Sequence, residues 1–169
     1  MATTALAAVQ LLSARVFWPV PVGYDDPQPL PAGLSVDLDN GDIINYAAAR
    51  GVGSAIFSPM ARGVLTDLAV AGADRHPLAG TGILRNMDNY QRLVRRASAF
   101  KFLSLPGKRA LHHAAIQFIL AHPAVTTVLG GFSALEQIDE MLGLLDAPAL
   151  TAAELAAIEQ VWARDCAEA

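Results

Sequence analysis

A single cysteine, Cys166, in a chain of 169 residues excludes an intramolecular disulfide and a cysteine-based metal site. Lysine is nearly as scarce, with Lys101 and Lys108 alone. The net charge is −4 and the sequence pI about 5.4, so no global basic field draws the chain to nucleic acid or to an anionic membrane surface. Although 53% of residues are hydrophobic, a long uninterrupted apolar run is missing. Met1 to Arg15 lacks the basic start of a secretory signal, and Gln10 and Arg15 interrupt it. Ala114 to Phe132 is broken by His122-Pro123 and by Gly130-Gly131. The expectation is a cytoplasmic protein with no targeting segment and no nucleic-acid or membrane partner. No metal site is expected either: His112 and His113 are consecutive and diverge on a helix, while His122 reads as a helix-end residue favourable to the dipole.

What is present reads as one domain, residues 1–169, long enough for one core. Ala7 to Leu12 is compatible with a buried strand. Prolines 19, 21, 27, 29 and 31 make residues 18–40 a loop, since each fixes φ and removes a donor. Ile43 to Arg50 reads as a short helix ended by Gly51, and Val52 to Phe57 as a second strand stopped by Pro59. Residues 67–82 read as irregular. A helix over about 86–103 places Tyr90, Leu93, Val94, Ala97 and Phe100 on one face, and another spans Arg109 to Ala121. The basic stretch Arg92, Arg95, Arg96, Lys101, Lys108 and Arg109 reads as a solvated helix face, with attraction of phosphates as the alternative. Thr151-Ala-Ala-Glu154 is a capping box opening a last helix with a Leu155, Ile158 and Trp162 stripe. Strands alternating with helices argue for an α/β fold with parallel strands.

Val125 to Glu140 is the most informative stretch. β-Branched Val125 to Val128 favours a buried strand, Gly130-Gly131 permits a tight turn, and Ser133 with Glu136 has the spacing of a second capping box. Such a strand-to-helix junction directs backbone N–H groups and the positive end of the helix dipole towards a phosphate. Ser133 and Gln137, four apart, share one face near that terminus.

Two blocks resemble the C-terminal part of the aldo-keto reductase family. One is Asp42 to Leu65, with Phe57-Ser-Pro-Met-Ala-Arg-Gly63 at its end; the other is Leu111 to Gly143. The likeness is strongest over residues 42–161. It implies a (β/α)8 barrel, of which this chain resembles about three C-terminal βα units plus terminal helices, an incomplete TIM barrel. It also implies a nicotinamide dinucleotide cofactor and the interconversion of carbonyls and alcohols. By that likeness Phe57 stands against the nicotinamide, Ser58, Met60 and Arg62 follow the pyrophosphate, and Gly131, Ser133, Gln137 and Glu140 form the adenosine end. Gln10, with the first strand as the family's sixth, would meet the nicotinamide amide. NADPH is expected from Ser133 and Gln137, with NADH as the alternative. Met141 stands where many members have an asparagine contacting adenine, and Gln137 supplies no cation for a 2′-phosphate, which leaves Arg85 as a candidate.

The family's catalytic Asp, Tyr, Lys and His lie upstream of both blocks, and no residue here matches them. The expectation is a cofactor-binding surface without turnover, acting on a small carbonyl or alcohol only when the missing half is supplied. The rival expectations are a truncated, non-enzymatic homologue that self- or hetero-associates through open sheet edges, and a fragment of a full-length reductase.

Overall fold

The computed structural model describes residues 48–51, 53, 55–72 and 86–164. Strands β1 (Ala55–Phe57) and β2 (Thr127–Leu129) pair in parallel, with Ala55 opposite Thr127, Ile56 opposite Val128 and Phe57 opposite Leu129. Parallel neighbours need a long crossover. Here it contains α1 (Asp67–Val70), α2 (Met87–Ser98) and α3 (Leu111–Leu120). Past β2 come α4 (Leu135–Leu142) and α5 (Ala152–Ala163). Single 3-10 turns occupy Ala61–Gly63, Lys101–Leu103 and Gly143–Leu145. No helix among the described residues is long and apolar enough to cross a membrane.

The core follows the three-and-four spacing of the helices. Tyr90, Leu93, Ala97 and Phe100 of α2 and its end meet Leu111, Ala114, Phe118 and Ile119 of α3, while Ile158 and Val161 close the cluster from α5. Trp162 packs beside it with the Arg96 guanidinium 5.6 Å from its ring. The Thr151 box forms as its spacing requires: Glu154 N–H donates to Thr151 Oγ1 at 3.1 Å, and Thr151 N–H to Glu154 Oε2 at 2.7 Å. Gly51 has φ 69 and donates to Ala48 C=O, the left-handed turn expected there, while residues 43–47 of the helix expected before it lie outside the described residues.

Several expectations are corrected. Residues 67–70 are helical, because Thr66 caps them by accepting from Ala69 N–H. β2 is not buried: Thr127 and Leu129 are exposed, since β1 is the only strand beside it among the described residues. Arg109 belongs neither to α3 nor to a solvated face. It is 2% exposed, because carbonyls and a carboxylate satisfy its guanidinium inside the protein. Gln10, the strand over residues 7–12 and the loop over 18–40 lie outside the described residues.

His122 is also corrected. It is 4% exposed, and its Nδ1 accepts from Ala124 N–H at 3.1 Å, a role only neutral imidazole can fill. Burial holds its pKa below the ordinary 6.5. His112 is lowered too, first by burial and then by His113, against the opposing pull of Glu140 and Asp67. Both folded values are depressed, so the unfolded chain binds protons more readily. Their contribution to stability is complete above about pH 6.5 and is lost as pH falls through the folded values. Urea midpoints measured across this range are expected to fall on acidification from about pH 7.5 to 5.5. A midpoint that rises would contradict the assignment.

Candidate functional site

The strand register decides where the two sequence blocks meet. Phe57 and Leu129, the last residues of β1 and β2, are direct partners, so the loop after β1 and the turn after β2 leave the same edge of the sheet. In barrels, ligands are held at that edge.

The loop after β1 is conformationally unusual. Ser58 (φ 58), Ala61 (φ 53) and Arg62 (φ 56) are left-handed, followed by Gly63 at φ 89. A non-glycine residue there costs about 1–2 kcal/mol, and it persists only where the surroundings impose it. Here they do. Ser58 C=O accepts from Ala61 N–H at 3.0 Å, and Met60 C=O accepts from Gly63 N–H at 3.0 Å and Leu65 N–H at 3.1 Å. Thr66 Oγ1 donates to Gly63 C=O at 2.8 Å. Ala61, Val64 and Leu65 are fully buried and anchor the loop in the core, leaving Ser58 and Met60 half-buried and Arg62 exposed.

The turn after β2 is built differently from the sequence expectation. A Cβ on Gly130 would lie 3.0 Å from Phe132 Cζ, so glycine lets that ring fold back, whereas Gly131 faces open space. The N-cap of α4 is Ala134, which contributes no side-chain bond, and Ser133 lies one residue outside the helix. The Ser133–Glu136 box is therefore absent. Starting one residue late shifts the partner from the third to the fourth position on, and Ser133 donates through N–H (2.8 Å) and Oγ (3.2 Å) to Gln137 Oε1. The expected pair does come together. Glu136, exposed in the first turn, places a negative charge where an anion would lie. For a dinucleotide phosphate held at this terminus, as the sequence resemblance implies, Glu136→Gln is expected to tighten binding several-fold at low ionic strength, with the gain lost at about 1 M salt; calorimetric titration at both salts checks it.

Glu140 has an exposed side chain, and its backbone makes the notable contact. His113 Nδ1 is 3.4 Å from Ala110 N–H, which it accepts, so Nε2 carries the proton and donates to Glu140 C=O at 2.7 Å. In the sequence His113 stands out only as half of a poor metal pair, and no motif marks this role. A cleft of about 920 Å³ at the start of α3, lined by Asp67, Ser104, Lys108, His113, Gly143 and Asp146 among others, contains none of the expected cofactor residues. No cluster that could hold a metal occurs among the described residues. Phe57 is placed by its backbone at the end of β1, and Arg85 lies outside the described residues.

Two parallel strands joined by one helical crossover, with shaped loops at their C-terminal ends, define an α/β protein. The chain belongs to the aldo/keto reductase family: the family model described as Aldo/keto reductase family matches residues 33–163. That family is one of TIM-barrel oxidoreductases, which generally use NAD(P)H. Comparison with curated proteins and with solved structures found no match.

Proposed function

We propose that this chain supplies the pyrophosphate and adenosine side of a nicotinamide dinucleotide site, with NADPH preferred over NADH. The observation that carries this reading is the register pairing Phe57 with Leu129, which sets the Ser58–Gly63 loop beside the Gly130–Gln137 turn. The groups present fit a dinucleotide. Ser58 is half-buried at the strand end, Arg62 offers an exposed cation, and no side chain caps the first turn of α4. The Gln137 amide, its Oε1 engaged by Ser133, keeps its NH2 group as a donor for a 2′-phosphate. Phe57 at the end of β1 stands for the nicotinamide side, and the family likeness assigns Gln10, outside the described residues, to its carboxamide with the first strand as the family's sixth. When bound, the dinucleotide carries the hydride exchanged with a carbonyl carbon. The chain's own residues hold and orient it.

These 169 residues contribute about three βα units of an incomplete barrel, and no proton donor is assigned among them. Reduction of a small carbonyl, or oxidation of an alcohol, then depends on residues supplied from elsewhere. Calorimetric titration of the purified chain is expected to show NADPH binding more tightly than NADH, without steady NADPH oxidation in the presence of aldehydes. Equal affinity for both, or none, would overturn the cofactor assignment, and steady turnover would overturn the assignment of catalysis to other residues.

A second reading, association rather than catalysis, is favoured by one specific observation. Leu129, Phe132, Leu135, Ile138, Leu142 and Leu145 are all more than 40% exposed within one short stretch. Apolar side chains exposed at this density are a feature of interaction surfaces, and each strand of the two-stranded sheet has one side without a strand partner among the described residues. Size exclusion with light scattering is expected to report a species larger than 17.8 kDa. A monodisperse monomer would remove this reading.

A further inference from the structure

α4 carries Gln137 and Glu140 of the proposed adenosine end, yet none of its residues is buried. Leu135 is 76% exposed and Leu142 57%. Apolar packing alone therefore holds it weakly, and its seat depends on polar contacts made from elsewhere. Those contacts come from Arg109, in the loop just before α3, and from His113 and Gln117 on α3 itself. Arg109 donates to the carbonyls of Pro148 (3.1 Å) and Ala149 (3.2 Å), His113 to that of Glu140 (2.7 Å), and Gln117 to those of Ala147 (3.4 Å) and Pro148 (3.2 Å). His113 and Gln117, four apart, lie on one face of α3. Together they form a polar ladder gripping the main chain from the end of α4 to the start of α5.

We propose that His113 is a positioning residue for the adenosine end of the dinucleotide site: through Glu140 C=O it fixes the seat of α4, and so the place of Ser133 and Gln137. This rests on the cofactor reading above. His113 is 8% exposed, and both ring nitrogens are used, Nδ1 accepting from Ala110 N–H and Nε2 donating to α4. The ring also sits where a Cβ on Gly143 would come within 3.3 Å of its Cε1, so the chain leaving α4 is shaped to admit it. Arg109 and Gln117 grip residues beyond the helix; His113 alone in the ladder holds α4 itself.

The test uses two half-ligands and a measurement independent of ligand. His113→Phe keeps a ring but can neither donate nor accept, and His113→Gln restores an N–H donor. His113→Phe is expected to weaken 2′,5′-ADP about tenfold in calorimetric titration, the equivalent of one lost hydrogen bond, and to leave nicotinamide mononucleotide unchanged. His113→Gln recovers most of the loss. Hydrogen exchange should show the α4 amides of the Phe variant losing protection about tenfold while those inside α3 keep theirs. Unchanged α4 protection, equal loss for both half-ligands, or no recovery in the Gln variant overturns the proposal. Wild-type protein that binds neither NADPH nor 2′,5′-ADP, while α4 protection still depends on His113, overturns the cofactor reading and with it the ligand role of His113, leaving only its hold on α4.

Discussion

Arg109→Met is expected to lower the unfolding free energy by about 3 kcal/mol, read from urea denaturation at neutral pH. The guanidinium is almost fully buried, yet its donors are satisfied. Nε bonds Leu103 C=O at 2.9 Å, one terminal nitrogen bonds the carbonyls of Pro148 and Ala149, and the other pairs with the Glu154 carboxylate. These contacts tie the Lys101–Leu103 turn, the loop before α3, the segment before α5 and the first turn of α5 together. Methionine fills the volume but leaves acceptors unpaired. The Glu154 side chain is 19% exposed and keeps part of its hydration, which holds the cost near the low end of the range for broken buried pairs. Burial pushes the Glu154 pKa up, but hydrogen bonds from Arg109 and Thr151 outweigh it and hold the carboxyl below 4.5. A depressed carboxylate contributes stability above its unfolded pKa and loses it as pH falls through the folded value. The difference between wild type and Arg109→Met should therefore shrink below about pH 4. A cost under about 1 kcal/mol at neutral pH would show that the pair is dispensable.

Ala61→Val is expected to cost about 3 kcal/mol and to weaken the proposed NADPH binding at least tenfold. Ala61 is fully buried and left-handed, so the substitution meets two obstacles at once. A β-branched side chain fits the left-handed region worse than alanine does, and two further carbons must enter a packed core beside Val64 and Leu65. Because the hydrogen bonds of the loop run through Ser58, Met60 and Gly63, relief of the strain displaces the groups proposed to follow the pyrophosphate. Ala61→Gly separates the two effects: it removes the backbone cost and leaves a small void, so its stability should stay near wild type. Urea midpoints and calorimetric titration check both variants, and a valine variant with wild-type stability would contradict the packing argument.

Local spacing made much of this chain legible. The apolar face of α2, the Thr151–Glu154 box and the left-handed turn at Gly51 each depend on residues within a few positions of one another. The two loop blocks carried the family likeness for the same reason, since Phe57-Ser-Pro-Met and Gly130-Gly-Phe-Ser are contiguous. Where local rules competed, the reading slipped. Ser133 satisfies the spacing of a capping box with Glu136, but the helix begins after Ala134, and Gln137 takes the bond. A box and a four-residue pair differ by one residue of helix start, which propensity does not resolve.

By itself, then, the sequence determined the α/β class, the family and the two segments proposed to hold a dinucleotide, because periodicity and motif are properties of neighbouring residues. Tertiary structure alone decided which strand ends lie together, that Ser58, Ala61 and Arg62 adopt left-handed conformations, and that Arg109 is interior rather than solvated. It alone placed His113 on α4 through Glu140. Those contacts join residues 27 positions apart for His113 and Glu140 and 45 apart for Arg109 and Glu154. Which distant groups meet depends on how the whole core packs, and no local spacing encodes it.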